Sequence, residues 1–331
     1  MNYRKKTFVL CAIIALLALT YIFTLIFNPE NVHARAAAYS WLNPSDAGNI
    51  TEISIISPFY EDEEYNSLLL GGFGSDILPI RLSKRGNDWF IEHNRQLFPA
   101  INNRVENFIA LLSTRASYEI RSSNESSHIG FSVNDEAATR ITVKTDDAEV
   151  LSLLVGQSDN TGLNIFLRKK DQAEVRMGED KFTFYTESQP QSWFDLRLFP
   201  EGHDSASLQR LIVNLPEEMG ASVQEFTRSG RVWSLNFLEE NQDNARVESY
   251  IRDILGISAD DFFSDGSVVF PMVNYCRLEL QFGDGSVKVI NIGQPDESET
   301  HNMTVSDKSY IYSISQWTRN RLIRGNDYFA K

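Results

Sequence analysis

The chain has 331 residues, 42% hydrophobic and 23% charged, with 31 basic side chains against 45 acidic ones and a net charge of −14. That composition is globular and excludes a disordered, collagen-like or disulfide-dense chain. The acidic balance excludes nucleic acid as an expected partner, because phosphate binding needs clustered Lys and Arg, and the length suggests about two domains.

Residues 1–6 carry Arg4, Lys5 and Lys6 and lead into Thr7 to Phe27, a run of 21 residues without a charge. A helix needs about 20 apolar residues to cross about 30 Å of hydrocarbon, and cations stay on the cytoplasmic side. The expected arrangement is a cytoplasmic tail at 1–6, a single transmembrane signal-anchor at 7–27 and a juxtamembrane linker at 28–49. Everything after Asn28 then lies on the periplasmic side of the inner membrane. A cleaved signal peptide is the alternative. Its apolar region usually runs about 7–15 residues, shorter than this one, but A-x-A patterns follow at Ala34 to Ala36 and Ala36 to Ala38. Of the two cysteines, Cys11 sits in the span and Cys276 is alone outside it. That excludes an intramolecular disulfide in the ectodomain. The strand-like run Tyr275 to Leu280 marks Cys276 as a buried, inert thiol.

Self-comparison finds five blocks that recur in the same order. Ile50 to Pro58 matches Leu208 to Pro216, 158 residues on. Lys84 to Trp89 matches Arg228 to Trp233 as charge, Gly turn and Trp, at 144. Arg104 to Ile109 matches Arg246 to Ile251 at 142, and Ile141 to Gln157 matches Leu278 to Gln294 without a gap at 137. Trp193 to Phe199 matches Trp317 to Ile323 at 124 through a shared W-x-x-x-R-L. The reading is a duplication, with repeat 1 at 50–200 and repeat 2 at 201–331, divided at the turn-rich stretch Pro200 to Asp204.

Each copy predicts the same elements. A first strand alternates apolar residues (Ile53, Ile55; Leu211, Val213). A strand with the Trp follows a Gly turn. A helix then shows i, i+3, i+4, i+7 spacing, with Val105, Phe108, Ile109 and Leu112 in one copy and Val247, Tyr250, Ile251 and Ile254 in the other. A hairpin turns at Asp146-Asp147 or Gly283-Asp284-Gly285. Further strands lie at Asn164 to Arg168, Glu174 to Met177, Met303 to Val305 and Tyr310 to Ser313, and a short helix around the second Trp closes each unit. The expected fold class is α+β: two tandem units, each a mostly antiparallel sheet covered by one long helix. The shrinking offset places an insertion in copy one, between Phe59 and Leu78. It holds the acidic run Glu61 to Glu64 and then an apolar, Gly-flanked stretch. Tyr65, Leu68, Leu69, Leu70 and Phe73 are its candidate partner-binding residues, with tucking onto the insertion's own sheet edge as the plainer reading.

Several of these blocks also carry a family likeness: I-T-E-I-S-I after an N-terminal anchor, Lys84 to Trp89, Asn103 to Leu112, the L-x-V-G-Q strand Leu153 to Gln157, and Ser192 to Phe199. Their order resembles the bacterial domain-of-unknown-function family numbered 4340, over nearly the whole ectodomain and more weakly in the second copy. The family's Gly-Leu-x-x-Pro stretch survives only in outline at Ile129 to Asn134. The resemblance implies no enzyme activity and no assigned active site. It implies an accessory protein of the kind found beside ABC-transporter and gliding-type components.

A search for chemistry agrees with that expectation. No H-E-x-x-H, G-x-S-x-G, Walker A or C-x-x-C motif is present, and no cofactor is expected. Gly71 to Gly74 lacks the third Gly of a dinucleotide loop. His33, His93, His128, His203 and His301 are scattered without ligand spacing and read as surface residues. Asp260, Asp261 and Asp265 read as a turn and not as a Ca²⁺ loop. Trp89, Trp193, Trp233 and Trp317 read as core, Glu106 and Glu248 as solvated helix positions, and Arg197 and Arg321 as local caps or pairs. The expected function is therefore a membrane-anchored accessory or scaffold protein with a membrane-complex partner. The alternatives are an envelope ligand- or glycan-binding module, whose small-molecule ligand the sequence leaves unnamed, and an envelope hydrolase built from residues distant in sequence.

Overall fold

A computed structural model describes residues 14, 16–17, 20–21, 37–58, 78–200, 202–220, 222–238, 242–264, 266 and 274–331. The predicted span at 7–27 lies outside them except for Ile14, Leu16, Leu17, Thr20 and Tyr21, which are helical and exposed. Among the described residues no helix is long and apolar enough to cross a membrane. Tyr65, Leu68, Leu69, Leu70 and Phe73 of the insertion also lie outside the described residues.

In chain order the strands begin with β1 (Ala37–Tyr39), β2 (Ile50–Ile56), β3 (Ile80–Arg85), β4 (Asp88–His93), β5 (Gln96–Pro99) and β6 (Ala116–Ser122). Next come β7 (Thr139–Thr145), β8 (Glu149–Ser158), β9 (Asn164–Lys169), β10 (Val175–Glu179), β11 (Leu208–Asn214) and β12 (Val223–Ser229). The series ends with β13 (Val232–Leu235), β14 (Asp261–Ser264), β15 (Asn274–Phe282), β16 (Val287–Pro295), β17 (Thr300–Val305) and β18 (Ile311–Ser315). The helices are α1 (Asn102–Ser113), α2 (Thr183–Thr186), α3 (Asn244–Leu255) and α4 (Gln316–Leu322). The chain is thus β-rich α+β, with two antiparallel sheets and few helices.

Two compact units divide the chain: Met1–Arg85 with Asn102–Gln189, and Gly86–Ile101 with Pro190–Lys331. The sheet of the first unit runs β1-β6-β10-β9-β8-β7-β2-β3. That of the second runs β13-β12-β11-β15-β16-β17-β18-β14, and the hairpin β4–β5 belongs to this unit as well. Leaving out β1 and β13, seven strands stand in the same order in both: β6-β10-β9-β8-β7-β2-β3 and β14-β18-β17-β16-β15-β11-β12.

The register agrees too. Ile53 faces Leu82 and Val143, and Leu211, 158 residues on, faces Phe226 and Leu280. A slip by one residue would turn each buried set to solvent, so the shared register places the same apolar face inward in both units. The joints correspond as well. Asp46 and Asp204 each accept from the residue three on, at 2.9 and 2.8 Å, just ahead of β2 and β11. Asp159 N–H donates to Asn164 and Asp296 N–H to Thr300, at 2.8 and 2.9 Å, in the loops after β8 and β16. Tyr39 pairs Ala116 as Arg197 pairs Ser258.

A similar contact stands ahead of each long helix. Ile101 N–H donates to Trp193 O and Asp243 N–H to Phe329 O, both at 2.8 Å. Each long helix is thus preceded by a backbone bond to the carbonyl of a buried aromatic residue, Trp193 or Phe329. The donors Ile101 and Asp243 lie one residue before α1 and α3.

α1 buries Val105, Phe108, Ile109 and Leu112, the predicted stripe. α3 buries Val247, Tyr250, Ile251 and Ile254 with Leu255. Asp243 starts α3 by accepting from Ala245 and Arg246 N–H at 3.0 and 3.2 Å, the usual role of an N-cap carboxylate. The stripe of α3 meets Phe226 and Phe329, whose rings lie 5.7 and 5.1 Å from Tyr250. The buried Tyr250 hydroxyl is satisfied by Leu322 O at 2.6 Å. The second unit is further closed by Phe98 of β5, stacked on Phe262 of β14 at 4.7 Å, with Phe194 5.4 Å from Phe98 and 5.3 Å from Phe262.

Candidate functional site

Trp317 is the first departure from a plain core. Ser315 caps α4 by accepting from Thr318 N–H at 3.3 Å. The helix then buries Thr318, Arg319 and Leu322, which turns position 317 outward. Trp317 is 66% exposed, with the Arg321 guanidinium 4.9 Å from its ring. It is not a core residue as its sequence context suggested, because its neighbours and not the Trp take the inward face. Trp89, Trp193 and Trp233 are buried as expected, and Trp41, which no repeat pointed to, is buried with them. The first unit has a similar pair. Phe184 on α2 is 64% exposed, and Arg104 lies 4.4 Å from its ring and donates to its carbonyl at 3.4 Å. Arginine over an aromatic face is a cation–π contact worth about 0.5–1 kcal/mol when exposed.

Under α4 lies a polar cluster around a buried arginine. Arg319 is only 6% exposed. It donates to Glu218 Oε1 at 2.6 Å, to Asn320 Oδ1 at 2.7 Å and to the Tyr275 hydroxyl, while Tyr275 donates to Glu218. The bond from Tyr275, with Arg319 behind it, holds the Glu218 carboxyl below its ordinary range. Burial and the Glu218 contact push the Tyr275 hydroxyl up to about 12. His301 is buried too, its ring nitrogens 2.9 Å from Gly293 O and 3.2 Å from Gln316 Oε1. His128 is likewise buried, with Nε2 2.9 Å from Ala173 O. Both were expected at the surface, and each is instead buried with a ring nitrogen at a backbone carbonyl, as buried polar groups require. Cys276 is buried beside this cluster. Burial raises its thiol to about 12, and Sγ meets Asn214 O at 3.0 Å.

Two other expectations change. Glu248 is no solvated position: it accepts from Trp233 Nε1 at 2.8 Å, satisfying the one polar atom of a buried indole. Asp260 lies in a bend, where it accepts from Ser315 N–H at 2.6 Å, and Asp261 opens β14. Asp265 lies outside the described residues. Arg197 pairs locally as expected, with Asp195 at 2.8 and 2.6 Å. Among the described residues no three His, Cys, Asp or Glu side chains converge on a point that could hold a metal ion.

Among the described residues the second unit also contains an open cleft of about 320 Å³ between the end of α3 and residues 197–200 and 202–205. Arg197, His203 and Arg252 line it, over apolar walls from Phe199 and Leu255. His203 stacks on Phe282 at 4.5 Å and meets Phe199 edge-on at 5.6 Å. It too is more enclosed than its place in a turn suggested.

A family model described as Domain of unknown function (DUF4340) matches residues 89–269, more than half of the chain. The chain belongs to this family. The DUF4340 match opens at Trp89 in β4 and ends beyond β14, so it includes both long helices. An uncharacterized protein of Treponema pallidum (strain Nichols) is 25% identical over 174 residues, which cover 52% of this chain and 51% of the relative. The chain thus spans about half the length of that relative. No solved structure matches the chain.

Proposed function

We propose that this DUF4340 protein is a membrane-anchored, extracytoplasmic accessory or scaffold protein without catalysis. It would be held by the Thr7 to Phe27 segment with its N-terminus in the cytoplasm. The uncharged run behind Arg4, Lys5 and Lys6 supports the anchor. The shared strand order, register and joints support an origin by duplication, with two tandem copies of one α+β unit. The partner is a membrane complex, of ABC-transporter or gliding type. The single observation that carries docking is Trp317, exposed on α4 with Arg321 against its ring. Trp and Arg are the residues most enriched where binding energy concentrates at protein interfaces.

The test is purification of the full chain from its own membranes in mild detergent. A stoichiometric membrane protein that is retained by the unaltered chain and lost with W317A supports docking. Recovery of the chain without a membrane partner, or a partner indifferent to W317A, overturns it.

The same exposed Trp favours a second reading, an envelope glycan-binding module that uses Trp317 as a sugar platform. Quenching or shifting of Trp fluorescence by envelope oligosaccharides, abolished in W317A, would select this reading over docking.

A further inference from the structure

α4 has seven residues, just under two turns at about 3.6 residues each. An isolated helix shorter than about 12–15 residues is marginal in water, so contacts with the rest of the second unit must fix how it lies. Trp317 and Arg319 are two positions apart, about 200° around the helix. Whatever holds Arg319 inward therefore turns Trp317 outward. Arg321, four positions after Trp317, returns to the same face and brings its guanidinium 4.9 Å from the ring. We propose that Arg319 is a positioning residue for Trp317: its guanidinium locks the rotation of α4 and so the outward presentation of the indole. The proposal rests on the reading of Trp317 as the docking residue.

The contacts that hold α4 differ in direction. Leu322 is buried, but apolar burial is non-directional, so it secures the helix without setting one rotation. At the helix start Asp260 accepts from Ser315 N–H at 2.6 Å, and Ser315 accepts from Thr318 N–H at 3.3 Å, which pins one end. Arg319 supplies the directional contact further along. One Nη donates to Glu218 Oε1 at 2.6 Å and to the Tyr275 hydroxyl, and the other donates to Asn320 Oδ1 at 2.7 Å. Glu218 lies in the 217–219 turn between β11 and β12, and Tyr275 lies on β15. The planar fork thus ties α4 to two other segments at once. Tyr275 in turn donates to Glu218, which closes a triangle of bonds.

Stability does not account for an arginine at this position. The Arg319 side chain is 7% exposed and that of Glu218 58%, so a cation leaves water for an acid that stays largely in it. Replacing a buried ion pair by apolar residues of similar volume is often neutral or stabilising. An apolar side chain would fill the same space; the guanidinium adds a fixed geometry.

The test is fluorine NMR of the full chain in neutral detergent, labelled with fluorotryptophan, the Trp317 resonance being the one absent from W317F. In R319M, which keeps the apolar filling, the melting profile should stay close to that of the unaltered chain. The Trp317 resonance should shift or broaden while those of the other four tryptophans hold. Amide exchange over 316–322 should quicken by about tenfold or more. R319K, which keeps the charge without the fork, should recover part of both changes. Y275F, which removes one bond and keeps the ring, should reproduce them in milder form. A Trp317 resonance and exchange rates unmoved in both R319M and Y275F would overturn the clamp. Docking is read separately, as retention of the membrane protein that co-purifies with the unaltered chain. Retention that falls with the moved resonance in R319M supports the proposal, and full retention beside a moved resonance overturns it. An unaltered chain that retains no membrane protein would overturn docking itself, while the spectra of the free chain still decide whether Arg319 locks α4.

Discussion

Cys276 illustrates how far a single side chain can be predicted from its surroundings. It is 3% exposed, and burial lifts its thiol to about 12. The thiolate is the reactive form, so the native thiol is inert near neutrality. With Cys11 replaced by Ala, a thiol reagent at pH 8 should modify no cysteine in the folded chain and one after denaturation; rapid labelling of the folded chain would contradict the packing. The Glu218–Arg319 pair predicts an asymmetry. Removing the acid leaves a buried cation uncompensated, whereas removing the cation leaves only an exposed acid. In urea melts at pH 7, E218A should lose roughly 1–3 kcal/mol, discounted because Glu218 is largely exposed, and R319M should stay within about 1 kcal/mol of the unaltered chain. Because Glu218 is held below its ordinary range, its share of stability is complete above the unfolded carboxyl range and is lost as pH falls through the depressed value. The difference between E218Q and the unaltered chain should therefore shrink in melts at acid pH. None of this cluster was legible in the sequence. Glu218, Tyr275, His301 and Arg319 lie on four separated segments.

Elements were more legible than residues. Both long helices follow from their apolar stripes, and the β7–β8 and β15–β16 hairpins from alternation and their turns. The family motif L-x-V-G-Q gains a physical meaning on β8. A Cβ on Gly156 would sit 2.3 Å from Phe131 O and 2.7 Å from Val133 Cγ1, so the 129–133 turn can lie against the strand only over a glycine. Gln157 then ties that turn down, donating to Gly130 O at 3.0 Å. G156A should cost about 1–3 kcal/mol through forced displacement of this turn. An unchanged chemical melt would show that the turn yields freely. The closing W-x-x-x-R-L blocks were less legible: Trp193 is buried, whereas Trp317 is exposed on α4. Segments such as β5, β6 and β14 carry weak alternation and take their strand form from the neighbours they pair with.

On the scale of the molecule, the second unit is discontinuous. It takes in Gly86–Ile101, whose Phe98 stacks on Phe262, so its stability depends on residues far upstream. F98A should cost about 3–5 kcal/mol, as buried aromatic truncations do, and hydrogen exchange should quicken in β14 and β18. Quickening confined to β2 and β3 would contradict this assignment. No reading by consecutive repeats could place that hairpin, because the repeat register assigns it to the first copy and tertiary packing to the second unit. Docking through α4 is tested most directly by placing a photo-crosslinking amino acid at position 317 of the full chain in its native membrane. One adduct of discrete mass, containing a membrane-complex protein and absent when the probe sits at a buried position such as 233, is the expected result. Efficient incorporation at 317 with no protein adduct after irradiation would contradict a docking role.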